Sequence, residues 1–99
     1  MAERKWKRAE RGVGKLLGGR RLPNDGTGRP DILLDDLPLA PEVKSRTIPK
    51  WLKNALKQAK NNAGELMPIV VLVESRQGVK AKRVVAMDFE VFQELISDA

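Results

Sequence analysis

An uninterrupted apolar run, Pro68 to Val73, constrains the fold more than any other stretch of the chain. A strand with one face in water alternates apolar and polar residues, whereas an unbroken apolar run is typical of a strand covered on both faces. The run therefore predicts the central strand of a sheet. Ser75 to Gly78 then turns the chain into a second strand, Val79 to Met87, and the two strands are expected to form a hairpin.

Helical periodicity predicts three helices. Residues 3–17 carry apolar side chains at helical spacing, and Gly18 with Gly19 ends that helix. Pro49 is a favourable first-turn residue for a second helix that ends before Gly64. A third helix follows Asp88. Short strands at 20–22, 31–34 and around 42–46 complete an α/β fold, a small mixed β-sheet flanked by helices.

The chain has 99 residues, which is enough for a single domain over residues 1–99 with one core. It contains neither Cys nor His, so a metal ion must be held by oxygen ligands and a reducing compartment is expected. No apolar run approaches the roughly 20 residues that span a bilayer, and the basic amino terminus lacks the apolar core of a signal peptide. We therefore expect a cytoplasmic protein without a membrane partner.

The net charge of +6 is unevenly distributed. Residues 1–60 hold 15 basic and 7 acidic side chains, whereas residues 61–99 hold 4 basic and 6 acidic ones. The second helix carries a row of lysines that no acidic residue on that helix neutralises: Lys50, Lys53, Lys57 and Lys60. This asymmetry predicts a face that binds a polyanion, and the alternative is a solvated basic surface without a partner.

Three charged residues are spaced as a metal site requires. Asp31 opens an apolar strand, and after ten residues Glu42 and Lys44 lie two apart on another strand, so their side chains share a face. Asp31 and Glu42 could hold Mg²⁺ or Mn²⁺, with Lys44 beside a bound water. The alternative is a solvated Glu42–Lys44 pair and a turn at Asp31. Glu10 borders the apolar stripe of the first helix and Gln58 that of the second, and either could be an ordinary surface residue.

The predicted order of elements resembles that of the PD-(D/E)xK nucleases over nearly the whole chain. This order is helix, strand, glycine-rich loop, two strands, helix, two strands and helix. The residues that carry this resemblance, in particular to archaeal-type and phage Holliday junction resolvases, are Glu10-Arg11, Arg20-Arg21, Pro30-Asp31, Glu42-Val43-Lys44 and Gln58. The resemblance implies a restriction-endonuclease-like core. It also implies metal ligation by Asp31, Glu42 and the Val43 carbonyl, with Glu10 assisting, Lys44 orienting the water and Gln58 contributing to catalysis.

The resemblance further implies a homodimer that cuts four-way DNA junctions during recombination and repair, in a prokaryotic or phage-infected cell. The residues expected to contact DNA are Arg8, Arg11, Arg20, Arg21, Arg29, Ser45, Arg46, Lys53, Lys57 and Lys60. The dimer interface is expected near Phe89, Phe92 and Ile96, although these residues could instead fill the monomer core. Alternative functions are a flap, fork or nicking nuclease of the same superfamily, and a non-catalytic basic DNA-binding module.

Overall fold

The computed structural model describes residues 4–21, 32–34 and 36–97. The described residues form a small mixed α/β protein, with three helices and short antiparallel strands. The elements are α1 (Lys5–Leu16), β1 (Arg20–Arg21), β2 (Ile32–Leu33), α2 (Lys50–Ala63), β3 (Val70–Arg76), β4 (Val79–Ala86) and α3 (Phe89–Ser97). They fall into two compact units, Met1–Thr47 and Ile48–Ala99. The assignment of residues 1–99 to a single domain stays a prediction.

In the first unit, α1 ends at the predicted glycine pair. Gly18 adopts a left-handed conformation with φ 74°, which glycine reaches without steric cost. The Gly18 N–H donates to the Lys15 carbonyl at 3.3 Å, and the Gly19 N–H donates to the Gly14 carbonyl at 2.7 Å. These two bonds are the pattern of a Schellman motif, which satisfies carbonyls that the helix end leaves open.

The first unit packs around Ile32, which is completely buried. Ile32 lies in β2, which pairs antiparallel with β1 in a register that sets Arg21 opposite Ile32 and Arg20 opposite Leu33 along the backbone. α1 contacts both strands. A Cβ on Gly19 would meet the Leu33 carbonyl oxygen and the Leu34 side chain, so the absence of a side chain there allows the close approach to β2.

The prediction that Glu42 and Lys44 lie on a strand is wrong. Residues 38–49 have neither helix nor strand, and the described strands form two separate two-stranded antiparallel sheets. Pro38 and Pro41 lack the N–H that a strand donates to its neighbour, which opposes ladder formation in this segment. The alternation expected of an extended chain is nevertheless present, because Glu42 and Lys44 are exposed whereas Val43 is half-buried. The restriction-endonuclease-like core stays a prediction.

In the second unit, α2 ends where it was predicted to end, and Pro49, which was predicted to lie in its first turn, is instead its N-cap. The helix begins directly after Pro49, whose carbonyl accepts hydrogen bonds from the N–H groups of Leu52 and Lys53 at 3.1 Å each. It ends at Gly64, which has a positive φ of 62°. The apolar side of α2 is half-buried except at Trp51, which is 58% exposed, and α2 contacts β3. Local start and stop signals therefore placed this helix correctly.

The predicted hairpin is confirmed, but two predictions for its first strand are wrong: it is not covered on both faces, and among the described strands it pairs with β4 alone instead of lying at the centre of a sheet. β3 pairs antiparallel with β4 and turns at Gly78, which has φ 77°. Val71 and Val73, which share one face of β3, are 51% and 56% exposed. Leu72 on the opposite face is half-buried. Within the described part of the chain, α2 packs on the strand and leaves the Val71 face open.

The last helix, α3, begins at Phe89 directly after Asp88, whose carbonyl accepts the Phe92 N–H at 3.1 Å. The rings of Phe89 and Phe92 meet edge to face with centroids 6.0 Å apart. Both rings and Ile96 are half-buried. This partial burial fits either a core or an interface, so the dimer stays a prediction.

Among residues 4–21, 32–34 and 36–97, no helix is long and apolar enough to cross a membrane. The cytoplasmic location stays a prediction.

Candidate metal and nucleic-acid site

A pocket of about 300 Å³ in the first unit contains most of the predicted site residues that the structure describes in that unit. α1 forms one side of the pocket and the extended segment after Pro41 forms the other. It is lined by Trp6, Glu10, Glu42, Val43, Lys44, Ser45 and Arg46. Two residues of α1 therefore line the same pocket as residues 42–46, which lie at least 32 positions further along the sequence. They do so although the segment that carries Glu42 is not a strand.

Glu42 and Lys44 form an ion pair on the open side of the pocket. The Lys44 Nζ lies 3.2 Å from the Glu42 Oε1, with the Lys44 side chain 70% exposed and the Glu42 side chain 62% exposed. The alternation of an extended backbone explains why both side chains point the same way. An ion pair this exposed contributes only about 0–1 kcal/mol. Another cation can therefore replace the ammonium at the carboxylate with little loss of folding stability.

Glu10 is a buried charged residue, with 8% of its surface exposed. It lies on α1, and Gly14, one turn further along, is also buried. A carboxylate is costly to bury unless it has polar or charged partners, and Glu10 does interact with a partner in the chain. The prediction that Glu10 borders the core is confirmed, and the helix fixes its position in the pocket.

Trp6 lines the same pocket and was not among the predicted site residues. It lies one helical turn before Glu10, so the two side chains share a face of α1. The Lys7 Nζ lies 5.4 Å from the centroid of the Trp6 ring, within the range of a cation–π interaction. The four-residue spacing to Glu10 was the sequence signal that could have identified Trp6.

Ser45 and Arg46 bring donor groups to the pocket. The Arg46 Nη1 donates to the Ser45 carbonyl at 3.1 Å, which uses one donor of the guanidinium and holds it near the pocket. A guanidinium has five N–H donors arranged to match phosphate oxygens. Arg46 is exposed. The pocket therefore combines carboxylates with cationic donors suited to a phosphate group.

The donors in the pocket are of the type that a hard divalent cation prefers. Glu10 and Glu42 supply carboxylate oxygens, and Val43, which also lines the pocket, has a backbone carbonyl oxygen. Oxygen donors of these kinds fit Mg²⁺ or Mn²⁺. A group of three or more acidic, His or Cys residues able to hold a metal is not found in the part of the chain that the structure describes. Asp31, the third predicted ligand, lies outside the described residues. The metal site stays a prediction.

The other predicted residues are distributed over both units. Arg8 and Arg11 are exposed on α1, and Arg20 and Arg21 form β1. Arg29 lies outside the described residues. The residues predicted on α2, all exposed, belong to the second unit: Lys53, Gln58, Lys57 and Lys60. Their functional roles stay predictions.

The resemblance to the PD-(D/E)xK nucleases rests on the residues of this chain. Comparison of the chain with protein-family models, curated proteins and solved structures finds no match.

Proposed function

We propose that the protein is a metal-dependent endonuclease that hydrolyses phosphodiester bonds in branched DNA, with the four-way junction as its substrate. The observation that supports this function best is the shared pocket. Two carboxylates, a lysine and an arginine from separate parts of the sequence line it together. Phosphodiester hydrolysis needs an activated water and positive charge beside the phosphate, and these groups can supply both.

In this function, Glu10, Glu42, Asp31 and the Val43 carbonyl would hold a divalent cation. A bound divalent cation supplies a water that ionises more readily and a positive charge next to the phosphate. Lys44, whose Nζ lies 3.2 Å from the Glu42 Oε1, would orient that water through its ammonium group. Arg46 holds a phosphate oxygen through the donors that Ser45 leaves open.

The test is cleavage of a DNA panel of junction, fork, flap and linear duplex with Mg²⁺. Glu42→Gln should lower the cleavage rate by at least about 100-fold, because a metal contributes several kcal/mol to charge stabilisation and each ~1.4 kcal/mol is a factor of ten. A matched control is Glu74→Gln, because Glu74 is an equally exposed carboxylate that pairs with Arg76 at 3.6 Å in the second unit. We expect Glu74→Gln to cut at the rate of the unsubstituted protein. Equal rates for both variants would rule out the pocket as the catalytic site.

A non-catalytic DNA-binding module is the second candidate. It is favoured by the exposed Glu42–Lys44 ion pair, which is the arrangement expected of an ordinary solvated pair. This function predicts that junction DNA binds without producing any Mg²⁺-dependent product. The cleavage panel separates the two functions, and the junction-to-flap ratio of rates separates the resolvase from the flap, fork and nicking nucleases.

A further inference from the structure

α2 presents two parallel rows of polar side chains. At 3.6 residues per turn, Asn54, Gln58 and Asn61 follow one line along the helix and are here called the amide row. A second line, here called the lysine row, lies about 90° further round the helix and consists of Lys50, Lys53, Lys57 and Lys60. All seven side chains are exposed. Most of the apolar side of α2 is half-buried, and both rows lie on the exposed side of the helix.

Within the described structure, neither row is held by polar contacts with the protein, although Lys60 lines a pocket together with Asp88 and Glu90. Across the described ranges of the chain, none of the seven side chains forms a hydrogen bond or an ion pair. No acidic residue occurs in α2, so its lysines have no partner on their own helix. Asn is also one of the weaker helix formers, and Asn54, Asn61 and Asn62 are all exposed in this helix. The exposed asparagines therefore contribute little to packing or to helix stability.

The dimensions of α2 match those of duplex DNA. The helix has 14 residues and is therefore about 21 Å long. The major groove of B-DNA is about 12 Å wide and admits one α-helix. Seven residues separate Asn54 from Asn61, or about 10 Å along the axis, which is roughly three base-pair steps. Asn and Gln amides pair in a bidentate manner with the N6 and N7 of adenine, and lysines contact phosphates.

We propose that α2 lies in the major groove of duplex DNA, where the amide row contacts adenine edges and the lysine row contacts one phosphate backbone. The chain then has a base preference for A·T pairs in addition to any preference for branched structure. The proposal rests on the proposed function only in taking DNA as the ligand. It gives Gln58, which the resemblance assigns to catalysis, a role in reading bases.

The test is binding measured by fluorescence anisotropy without divalent metal, using two duplexes of about 20 base pairs. One duplex alternates A and T and the other alternates G and C. The protein should bind the A·T duplex at least roughly 5-fold more tightly, because one bidentate amide contact discriminates by that factor or more. Replacing adenine with 7-deazaadenine removes the major-groove N7 and should abolish the preference. Replacing it with 3-deazaadenine alters the minor groove alone and should leave the preference intact.

Variants separate the two rows. The triple substitution Asn54→Ala, Gln58→Ala and Asn61→Ala should remove the A·T preference while keeping the salt dependence of binding. Ala is a stronger helix former than Asn or Gln, so melting of α2 would not explain that loss. Gln77→Ala is the matched control, because Gln77 is an exposed amide in the β3–β4 turn, and it should retain the preference.

Equal binding of the two duplexes by the unsubstituted protein would overturn the proposal, as would an amide variant that keeps the A·T preference. Sensitivity to 3-deazaadenine instead of 7-deazaadenine would also overturn it, since the contact would then lie in the minor groove. Because the assay contains no metal, a protein that never cuts DNA can still support this proposal. Conversely, Mg²⁺-dependent cleavage by a protein without base preference would support the nuclease function and reject the reading role of α2.

Discussion

Replacing three lysines of the lysine row should change the salt dependence of DNA binding by an amount that the structure allows us to calculate. Lys53, Lys57 and Lys60 are exposed on α2 and have no ion pair within the described residues, so each is available to a phosphate. Each phosphate contact releases counterions and adds roughly 0.9 to the slope of log K against log salt. The variant with all three changed to Gln should lose about 2.7 from that slope.

The change in slope predicts a measurable change in affinity. Raising the salt concentration from 50 to 200 mM weakens the binding of both proteins. Because the slope of the variant is smaller by about 2.7, the factor by which its affinity falls should be roughly 40 times smaller than the factor for the unsubstituted protein. The assay is anisotropy titration of one duplex at four salt concentrations without divalent metal. Lys80→Gln on β4 is the control for a general loss of charge, and its slope should change by less than the ~0.9 of one contact. A triple variant with the slope of the unsubstituted protein would show that α2 does not contact DNA.

Three further predictions concern chemistry, packing and assembly. Asp31→Asn should lower Mg²⁺-dependent cleavage by orders of magnitude. Junction binding, measured by gel shift, should persist or strengthen, because a negative charge beside the phosphate is removed. Unchanged turnover would exclude Asp31 as a metal ligand. Gly19→Ala should destabilise the protein by about 1–3 kcal/mol in urea denaturation, because the new methyl group meets the Leu33 carbonyl. Gly12→Ala has open space around its Cβ and should instead stabilise α1 by about 0.5–1 kcal/mol, and similar effects at both glycines would contradict the packing of β2. A junction resolvase should sediment as a twofold dimer and convert a supercoiled cruciform plasmid to linear product, whereas a stable monomer that gives nicked circles alone would refute that reading.

The helices could be predicted from sequence because the signals that begin and end them are local. Gly18 and Gly64 both have positive φ, and Pro49 directly precedes α2. Each of these effects depends on one or two residues and their own backbone angles. The hairpin was predictable for the same reason, since Gly78 supplies the turn.

The burial of strands could not be predicted, because it depends on partners that are distant in sequence. The Val70–Val73 run is apolar on both faces, but α2 packs on one face in the described structure and Val71 stays half exposed. The segment around Glu42 has the alternation of a strand and still lacks a hydrogen-bonded neighbour. Periodicity reports which residues share a face, whereas ladder formation requires a second strand at the correct place.

The candidate site was predictable to the extent that it depends on spacing. The two-residue interval between Glu42 and Lys44 predicted that their side chains share a face, and they form an ion pair. The position of Glu10 at the edge of the apolar face of α1 predicted that it borders the core, and it is buried. The entry of Ser45 and Arg46 into the same pocket depends on how the extended segment lies beside α1, which no local pattern encodes. Trp6 was missed because an aromatic residue at helical spacing is normally assigned to the core.

The two carboxylates of the pocket differ in burial, and this difference decides which substitution isolates the chemistry. Glu10 is 8% exposed on a helix that packs against β1 and β2, so replacing it perturbs packing as well as any metal site. Glu42 is 62% exposed and its ion pair with Lys44 adds little stability, so Glu42→Gln changes the charge at the pocket and hardly affects folding. If the Glu42 variant loses cleavage while its unfolding midpoint is unchanged, the loss is therefore due to the chemistry of the pocket and not to unfolding. The same loss in a Glu10 variant carries that meaning only if the unfolding midpoint is also preserved.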